Sequence, residues 1–99
     1  MKIVVALGGN AISREDQKGD IPDQINNCHI TAKYIVDLVA AGHKVVTTHG
    51  NGPQVGNLLL ASETAKEVVP PMPLDVCGAA TQGQMGFMIQ QCLANAMRK

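Results

Sequence analysis

Two short apolar segments of this 99-residue chain each run into a turn made of glycine and asparagine. Segment 3–7 ends at Gly8–Asn10, and segment 45–49 ends at Gly50–Pro53. Glycine lets backbone N–H groups approach a ligand without a side chain in the way. A strand that stops at glycine before a helix is a common way for an α/β protein to bind an anion. The pattern therefore predicts an anion site, to which Asn10 and Asn51 would add uncharged amide donors.

The same residue types have a second interpretation, because glycine and asparagine also supply the left-handed backbone angles of tight turns. One such turn alone would favour that role, whereas two turns at one sheet edge favour the ligand site. His49 lies between a strand and a glycine turn, so it could act as a base or hold the turn by a hydrogen bond. We favour the structural role, since no carboxylate or nucleophile is adjacent in sequence.

Several other chemistries are disfavoured by the motifs. Gly8–Asn10 lacks the spacing of a dinucleotide fingerprint, and no segment reads as a phosphate-binding P-loop. The three cysteines, Cys28, Cys77 and Cys92, are an odd number without close spacing, which predicts free buried thiols in a reducing compartment. Cys28-His29 has no second ligand pair at a useful spacing, so we predict no metal site. We also predict no catalytic side chain in this chain.

The first half of the chain predicts a strand, a helix and a strand. Lys2–Leu7 contains a continuous apolar run rather than an alternating one, which predicts a buried parallel strand. Ser13–Asp23 is polar and predicts a loop, after which apolar residues recur at helical spacing through 25–39 until Gly42 ends the helix. Lys44–His49 is the second strand. A βαβ unit has parallel strands and a right-handed crossover, so both glycine turns should lie at one sheet edge.

The second half predicts two helices joined by an irregular connector. Pro53 suits a first helical turn, and the helix should continue to Glu67. The prolines of 68–74 predict the connector, and Asp75 is expected to cap a final helix running toward Arg98. That helix contains Gly78, Gly83 and Gly86. Because glycine destabilises a helix, we expect these positions to pack closely on the sheet or on a partner.

Length and composition indicate one small domain, or a piece of a larger one, whose core is aliphatic. Apolar residues make up 45% of the chain, and Tyr34 and Phe87 are its only aromatic residues. The formal net charge is zero and no basic cluster occurs, which argues against nucleic acid or an anionic membrane as partner. No signal-peptide pattern or membrane-spanning run is present, so we predict a cytoplasmic protein.

Four segments closely resemble the carbamate kinases of the amino acid kinase family. They are Val4–Ala11, His49–Leu58, Met72–Asp75 and Thr81–Gly83. The resemblance covers essentially the whole chain, in order, and the second segment is specific. It implies an α/β fold with a parallel βαβ-based sheet flanked by helices, the N-terminal part of an amino acid kinase-type fold.

The resemblance implies a reversible phosphoryl transfer in which ATP and carbamate give ADP and carbamoyl phosphate, as in arginine or agmatine catabolism. Relatives that act on other acids often carry lysine where this chain has Ala6, which fits a carbamate kinase better. A complete enzyme would use ATP or ADP with Mg²⁺ and form a homodimer. The residues implied to bind carbamate or carbamoyl phosphate are Gly8, Gly9, Asn10, Gly50, Asn51 and Gly52.

Length is the main departure, because members of this family are much longer than 99 residues. Residues 1–99 would then be the acceptor-side part, with the nucleotide-binding half beyond Lys99 or on another chain. We expect this chain alone to bind no cofactor and to be inactive. The alternatives are a non-catalytic binding or assembly module with the same fold, and a fragment of a kinase for another small acid.

Overall fold

The computed structural model describes residues 1–14, 16 and 19–98. In chain order its elements are β1 (Lys2–Leu7), α1 (Gly9–Ile12), α2 (Ile21–Ala40), β2 (Lys44–His49), α3 (Gly52–Thr64) and α4 (Leu74–Met97). Both strands have the predicted bounds. The short helix α1 was not predicted, because four residues are too few to show helical periodicity.

The two strands pair in parallel and confirm the α/β prediction. The register runs from Lys2 beside Lys44 to Leu7 beside His49. The backbone N–H of Gly50 extends this pairing by donating to the carbonyl oxygen of Leu7 at 2.8 Å. The carboxyl ends of both strands, with the glycine turns that follow them, therefore lie at one edge of the sheet, as predicted.

The core lies between the inner face of the sheet and helices α2 and α4. Val5 and Val45 contribute from the strands. Helix α2 places Cys28, Ala32 and Ile35 in the core, which confirms most of its predicted apolar face. Helix α4 contributes the residues Met85, Met88, Ile89 and Cys92. The predicted free cysteines are also confirmed, since all three are buried and none of them forms a disulfide.

The outer face of the sheet differs from the prediction of a fully buried strand. Val4 and Val46 are direct neighbours in the register, yet they are 69% and 61% exposed. Side chains alternate between the two faces of a strand, and helices cover only the inner one. A continuous apolar sequence therefore does not mean burial on both faces within this chain.

Helix α2 begins earlier than predicted, so the loop prediction for Ser13–Asp23 was wrong at its end. Asp20 caps the helix, because its Oδ1 accepts the Asp23 N–H at 2.9 Å, and Pro22 fits the first turn. Within that loop, Glu15, Gln17 and Lys18 lie outside the described residues. At the other end, Gly42 has a φ of 94° and its N–H donates to Val39, as the predicted helix stop requires.

Helix α3 ends at Thr64, three residues before the predicted Glu67. Beyond it, Val68 and Val69 are exposed, so no core contact would stabilise further turns. The connector that follows is irregular as predicted, and the Met72 N–H anchors it by donating to Ser62 Oγ at 2.6 Å.

The capping prediction for α4 was wrong, and the expected packing of its glycines on the sheet is absent, which leaves the partner alternative as a prediction. Its N-cap is Pro73 rather than Asp75, because Pro73 already has the extended backbone of a cap and its carbonyl accepts the Cys77 N–H at 3.0 Å. Asp75 lies in the first turn, where a carboxylate favours the helix dipole. A β-carbon at any of the helix glycines, Gly78, Gly83 or Gly86, would meet nothing within 4 Å, so none packs closely on the sheet.

Across the described part of the chain, none of the helices combines the length and apolar character needed to cross a membrane.

Candidate functional site

The candidate site is the sheet edge where β1 and β2 end. Leu7 and His49 are the last pair of the ladder, and the two glycine turns leave the sheet beside each other. The Gly50 N–H is used by the ladder, so it is not a donor for a ligand. Because Gly50 has no side chain, a ligand can approach the backbone closely at this edge.

The first turn leads directly into α1. The Gly8 carbonyl accepts the Ala11 N–H at 3.0 Å, so Gly9 and Asn10 lie in the first turn of that short helix. Gly8 has no left-handed backbone angle, and a β-carbon there would have open space around it. The conformational reason for glycine, which the turn interpretation needs, is therefore absent at Gly8.

The second turn opens helix α3. Gly52 and Pro53 are the first two helical residues, and the first intrahelical bond is from the Val55 N–H to the Asn51 carbonyl at 2.9 Å. Helix geometry leaves the N–H groups of Gly52 and Gln54 without intrahelical acceptors, and Pro53 has none. Gly52, like Gly8, has neither a positive φ nor a neighbour within 4 Å of a β-carbon position. A small anion would gain two donors and the positive end of the helix dipole here.

The side chain of Asn51 does not cap this helix. Its Nδ2 instead donates to Thr81 Oγ1 at 2.8 Å and to the Gly78 carbonyl at 3.3 Å, both in α4. The expected amide donor for a ligand is thus directed at another helix. Asn51 reaches the sheet edge through its backbone, and Thr81 is a functional candidate that the sequence did not indicate.

His49 contacts its own turn. Its Nδ1 lies 3.3 Å from the carbonyl oxygen of Gly50, a geometry that suits the favoured structural role. In the tautomer that carries the ring hydrogen on Nδ1, this N–H would donate to that carbonyl. The hydrogen bond would hold the turn at the end of β2.

A buried polar cluster behind the turns was also not predicted. Gln24 and Gln54 are each 4% exposed, and Gln54 Nε2 donates to Gln24 Oε1 at 3.3 Å. Gln24 Nε2 donates in turn to the Gly19 carbonyl at 2.6 Å, which ties the loop before α2 to the start of α3. Apolar periodicity cannot reveal buried amides, since it treats glutamine as a surface residue.

The glycine and asparagine residues of this site carry no formal charge. The shifted pKa found in the described part of the chain belongs to a cysteine outside the site. Burial, with a smaller contribution from the neighbouring Cys92 thiol, raises the pKa of Cys28 from 9.0 to about 12 in the contact between α2 and α4. Among the described residues, no group of three histidine, cysteine or acidic side chains could hold a metal ion. The glycine turns at this edge can thus bind an anion through neutral donors, with the imidazole of His49 beside them.

Comparisons with known proteins agree on one family. The profile of the amino acid kinase family matches residues 1–98. The chain is 52% identical to the carbamate kinase of Thermococcus kodakarensis and 47% identical to that of Pyrococcus furiosus, in each case over 99% of this chain and 32% of the relative. The carbamate kinase from Giardia lamblia bound to AMP-PNP has a TM-score of 0.90 at 48% identity, covering 95% of this chain and 33% of that one. The chain spans about a third of the length of the curated relatives it matches.

Proposed function

We propose, from the premise that this chain belongs to the amino acid kinase family, that its glycine-lined sheet edge is the acceptor-side anion site of a carbamate kinase. The complete enzyme would transfer a phosphoryl group reversibly between ATP and carbamate, giving ADP and carbamoyl phosphate, in arginine or agmatine catabolism. The similarity to carbamate kinases at 47–52% identity supports this particular reaction over phosphorylation of another small acid.

One observation carries the assignment of the site. Gly8 and Gly52 need glycine neither for a left-handed backbone nor for space inside the described chain. Both flank the same sheet edge, where the first turn of α3 leaves N–H groups uncapped. The same open space surrounds four glycines inside helices, namely Gly56, Gly78, Gly83 and Gly86. It is therefore the position of Gly8 and Gly52 at the two strand ends that favours a ligand approaching the backbone.

The chemistry of carbamate suits such a site. Carbamate is already an anion, so its attacking oxygen needs no general base, and phosphoryl transfer depends mainly on positioning and charge stabilisation. Neutral backbone donors at a helix start can hold an oxyanion without a fixed positive charge. In this proposal the ligand is lined by Gly8, Gly9, Asn10, Gly50, Asn51 and Gly52. Gly52 supplies an N–H donor, whereas Gly50 supplies only close approach.

The sheet edge is a poor match for the metal ion that would accompany the nucleotide. Mg²⁺ prefers carboxylate oxygens and phosphate, and the edge offers glycine and asparagine. We therefore place ATP or ADP and Mg²⁺ on the part of a complete enzyme that residues 1–99 do not cover. By the same family argument the complete enzyme would be a cytoplasmic homodimer, and the nucleotide-binding part could be supplied by a second chain.

Complementation tests the proposal. Purified residues 1–99 should form no ATP from carbamoyl phosphate and ADP, because phosphoryl transfer needs both phosphate-bearing partners held together. Fusion to the remaining two thirds of the Thermococcus kodakarensis enzyme should restore ATP formation. Turnover by residues 1–99 alone, with host kinases excluded, would contradict the proposal.

Paired glycine variants locate the site within the fused enzyme. Gly52→Val should abolish turnover, because its side chain would fill the approach to the helix start. Gly56→Val is the matched control, since Gly56 lies one turn later in α3 with equally open space. Equal activity of the two variants would remove Gly52 from the site. A well-folded fusion with no turnover would instead favour a non-catalytic assembly module.

A further inference from the structure

Two helices in this chain follow a residue whose side chain is suited to capping, but only one is capped by it. Asp20 has the extended backbone of a cap, with φ −72° and ψ 163°, and its carboxylate accepts the Asp23 N–H. Asn51 has φ −147° and ψ 21° and makes no cap hydrogen bond to α3. Asparagine is among the best capping residues, so something holds Asn51 away from the helix.

Thr81 provides that restraint. It is 1% exposed, and its hydroxyl donates to the Cys77 carbonyl at 2.7 Å within α4. With its proton committed there, Thr81 Oγ1 presents a lone pair that accepts from Asn51 Nδ2 at 2.8 Å. The second proton of the amide is directed at the Gly78 carbonyl at 3.3 Å. Both side-chain amide protons of Asn51 are therefore engaged by Gly78 and Thr81 of α4.

We infer that Thr81 is a positioning residue that keeps Asn51 from capping α3 and so leaves the Gln54 N–H open to an anionic ligand. Pro53 has no N–H, so a capping Asn51 would compete with the ligand for the Gln54 N–H. The ligand part of this inference rests on the proposed function. The restraint on Asn51 rests only on the hydrogen bonds of this chain.

Three variants of the 99-residue chain test the inference. Inorganic phosphate is the probe, and its binding is measured from the amide chemical shifts in NMR spectra. Thr81→Val removes the hydroxyl at nearly constant volume and should weaken phosphate binding by about two- to thirtyfold, the range of one helix cap. Thr81→Ser keeps the hydroxyl and should bind as the parent does. Thr64→Val is the matched control, because the Thr64 hydroxyl makes the same bond to the carbonyl four residues earlier without contacting Asn51.

A double variant separates positioning from general damage to the fold. If Asn51 caps α3 once Thr81 is lost, deleting its side chain should free the Gln54 N–H again. Thr81→Val combined with Asn51→Ala should therefore bind phosphate more tightly than Thr81→Val alone. A purely structural role of Thr81 predicts the opposite, since two disrupted contacts should damage the turn more than one.

Hydrogen exchange at the Gln54 amide gives a readout that needs no ligand. Slower exchange in Thr81→Val than in Thr81→Ser supports the inference, and equal rates overturn it. A double variant that binds no better than Thr81→Val also overturns it. If the parent chain binds no phosphate, the anion site of the proposed function fails, while exchange at Gln54 still decides the role of Thr81. Thr81→Ala replaces Thr81→Val if the valine variant does not fold.

Discussion

Asn51 shows how one side chain can look like a ligand donor in the sequence and serve a different purpose in the fold. An asparagine between two glycines at a strand end predicts either an amide donor for a ligand or a residue that shapes a tight turn. The hydrogen bond to Thr81 joins residues 30 positions apart, and no local pattern predicts such a contact. The sequence thus located the two turns correctly, but the direction of this amide depended on how α4 packs.

The buried thiol of Cys28 gives a prediction at the residue scale. Burial raises its pKa from 9.0 to about 12, so between these values the unfolded chain releases a proton that the folded chain keeps. The free energy of unfolding should therefore decrease as the pH rises from about 9 to 12, by at most about 1.4 kcal/mol per pH unit. Chemical denaturation at several pH values measures this slope.

Cys28→Ala provides the comparison for that slope. Groups distant from Cys28 are the same in both proteins, so their effect cancels in the difference between the two slopes. The variant should be less stable at neutral pH, because it leaves a small cavity, but its stability should decrease less steeply above pH 9. Parallel slopes would show that the Cys28 proton does not contribute to stability.

At the scale of elements, hydrophobic periodicity predicted the strands and helices whose apolar residues pack in the core. The strands and the apolar positions of α2 follow directly from their hydrophobic patterns. The element ends were less predictable, because they depend on single hydrogen bonds. Helix α2 starts at Ile21 since Asp20 caps it, and α4 starts at Leu74 since Pro73 sets the backbone.

The cap of α2 can be tested by substitution. Asp20→Ala removes the acceptor of the Asp23 N–H and should lower the free energy of unfolding by about 1 kcal/mol. Asp16→Ala is the matched control, because Asp16 forms an exposed ion pair with Arg14 at 3.5 Å, and such pairs contribute little. Thermal melts of both variants check the prediction. Equal melting temperatures would mean that the loop, rather than the cap, determines where α2 begins.

At the scale of the whole molecule, the chain is less compact than its length suggests. Its radius of gyration is 15.2 Å, whereas a compact domain of this length is expected near about 13 Å. The exposed pair Val4 and Val46 lies on a two-stranded parallel sheet, a type that is usually covered on both faces. Hydrophobic sequence alone does not say which body covers an apolar face, so this exposure could not be predicted. Both features fit the proposal that a second, nucleotide-binding part completes the enzyme.

In the proposed function, the glycine-lined sheet edge binds the acceptor-side phosphoryl group. The most direct measurement is an NMR titration of the ¹⁵N-labelled chain with phosphonoacetamide, a hydrolysis-resistant analogue of carbamoyl phosphate. We expect saturable shifts, with a Kd in the millimolar range or tighter, that are largest at the amides of Gly8, Gly52 and Gln54. Largest shifts in the groove between His29, Lys33 and Asn95, or no saturable shift at the sheet edge, would contradict the proposed function.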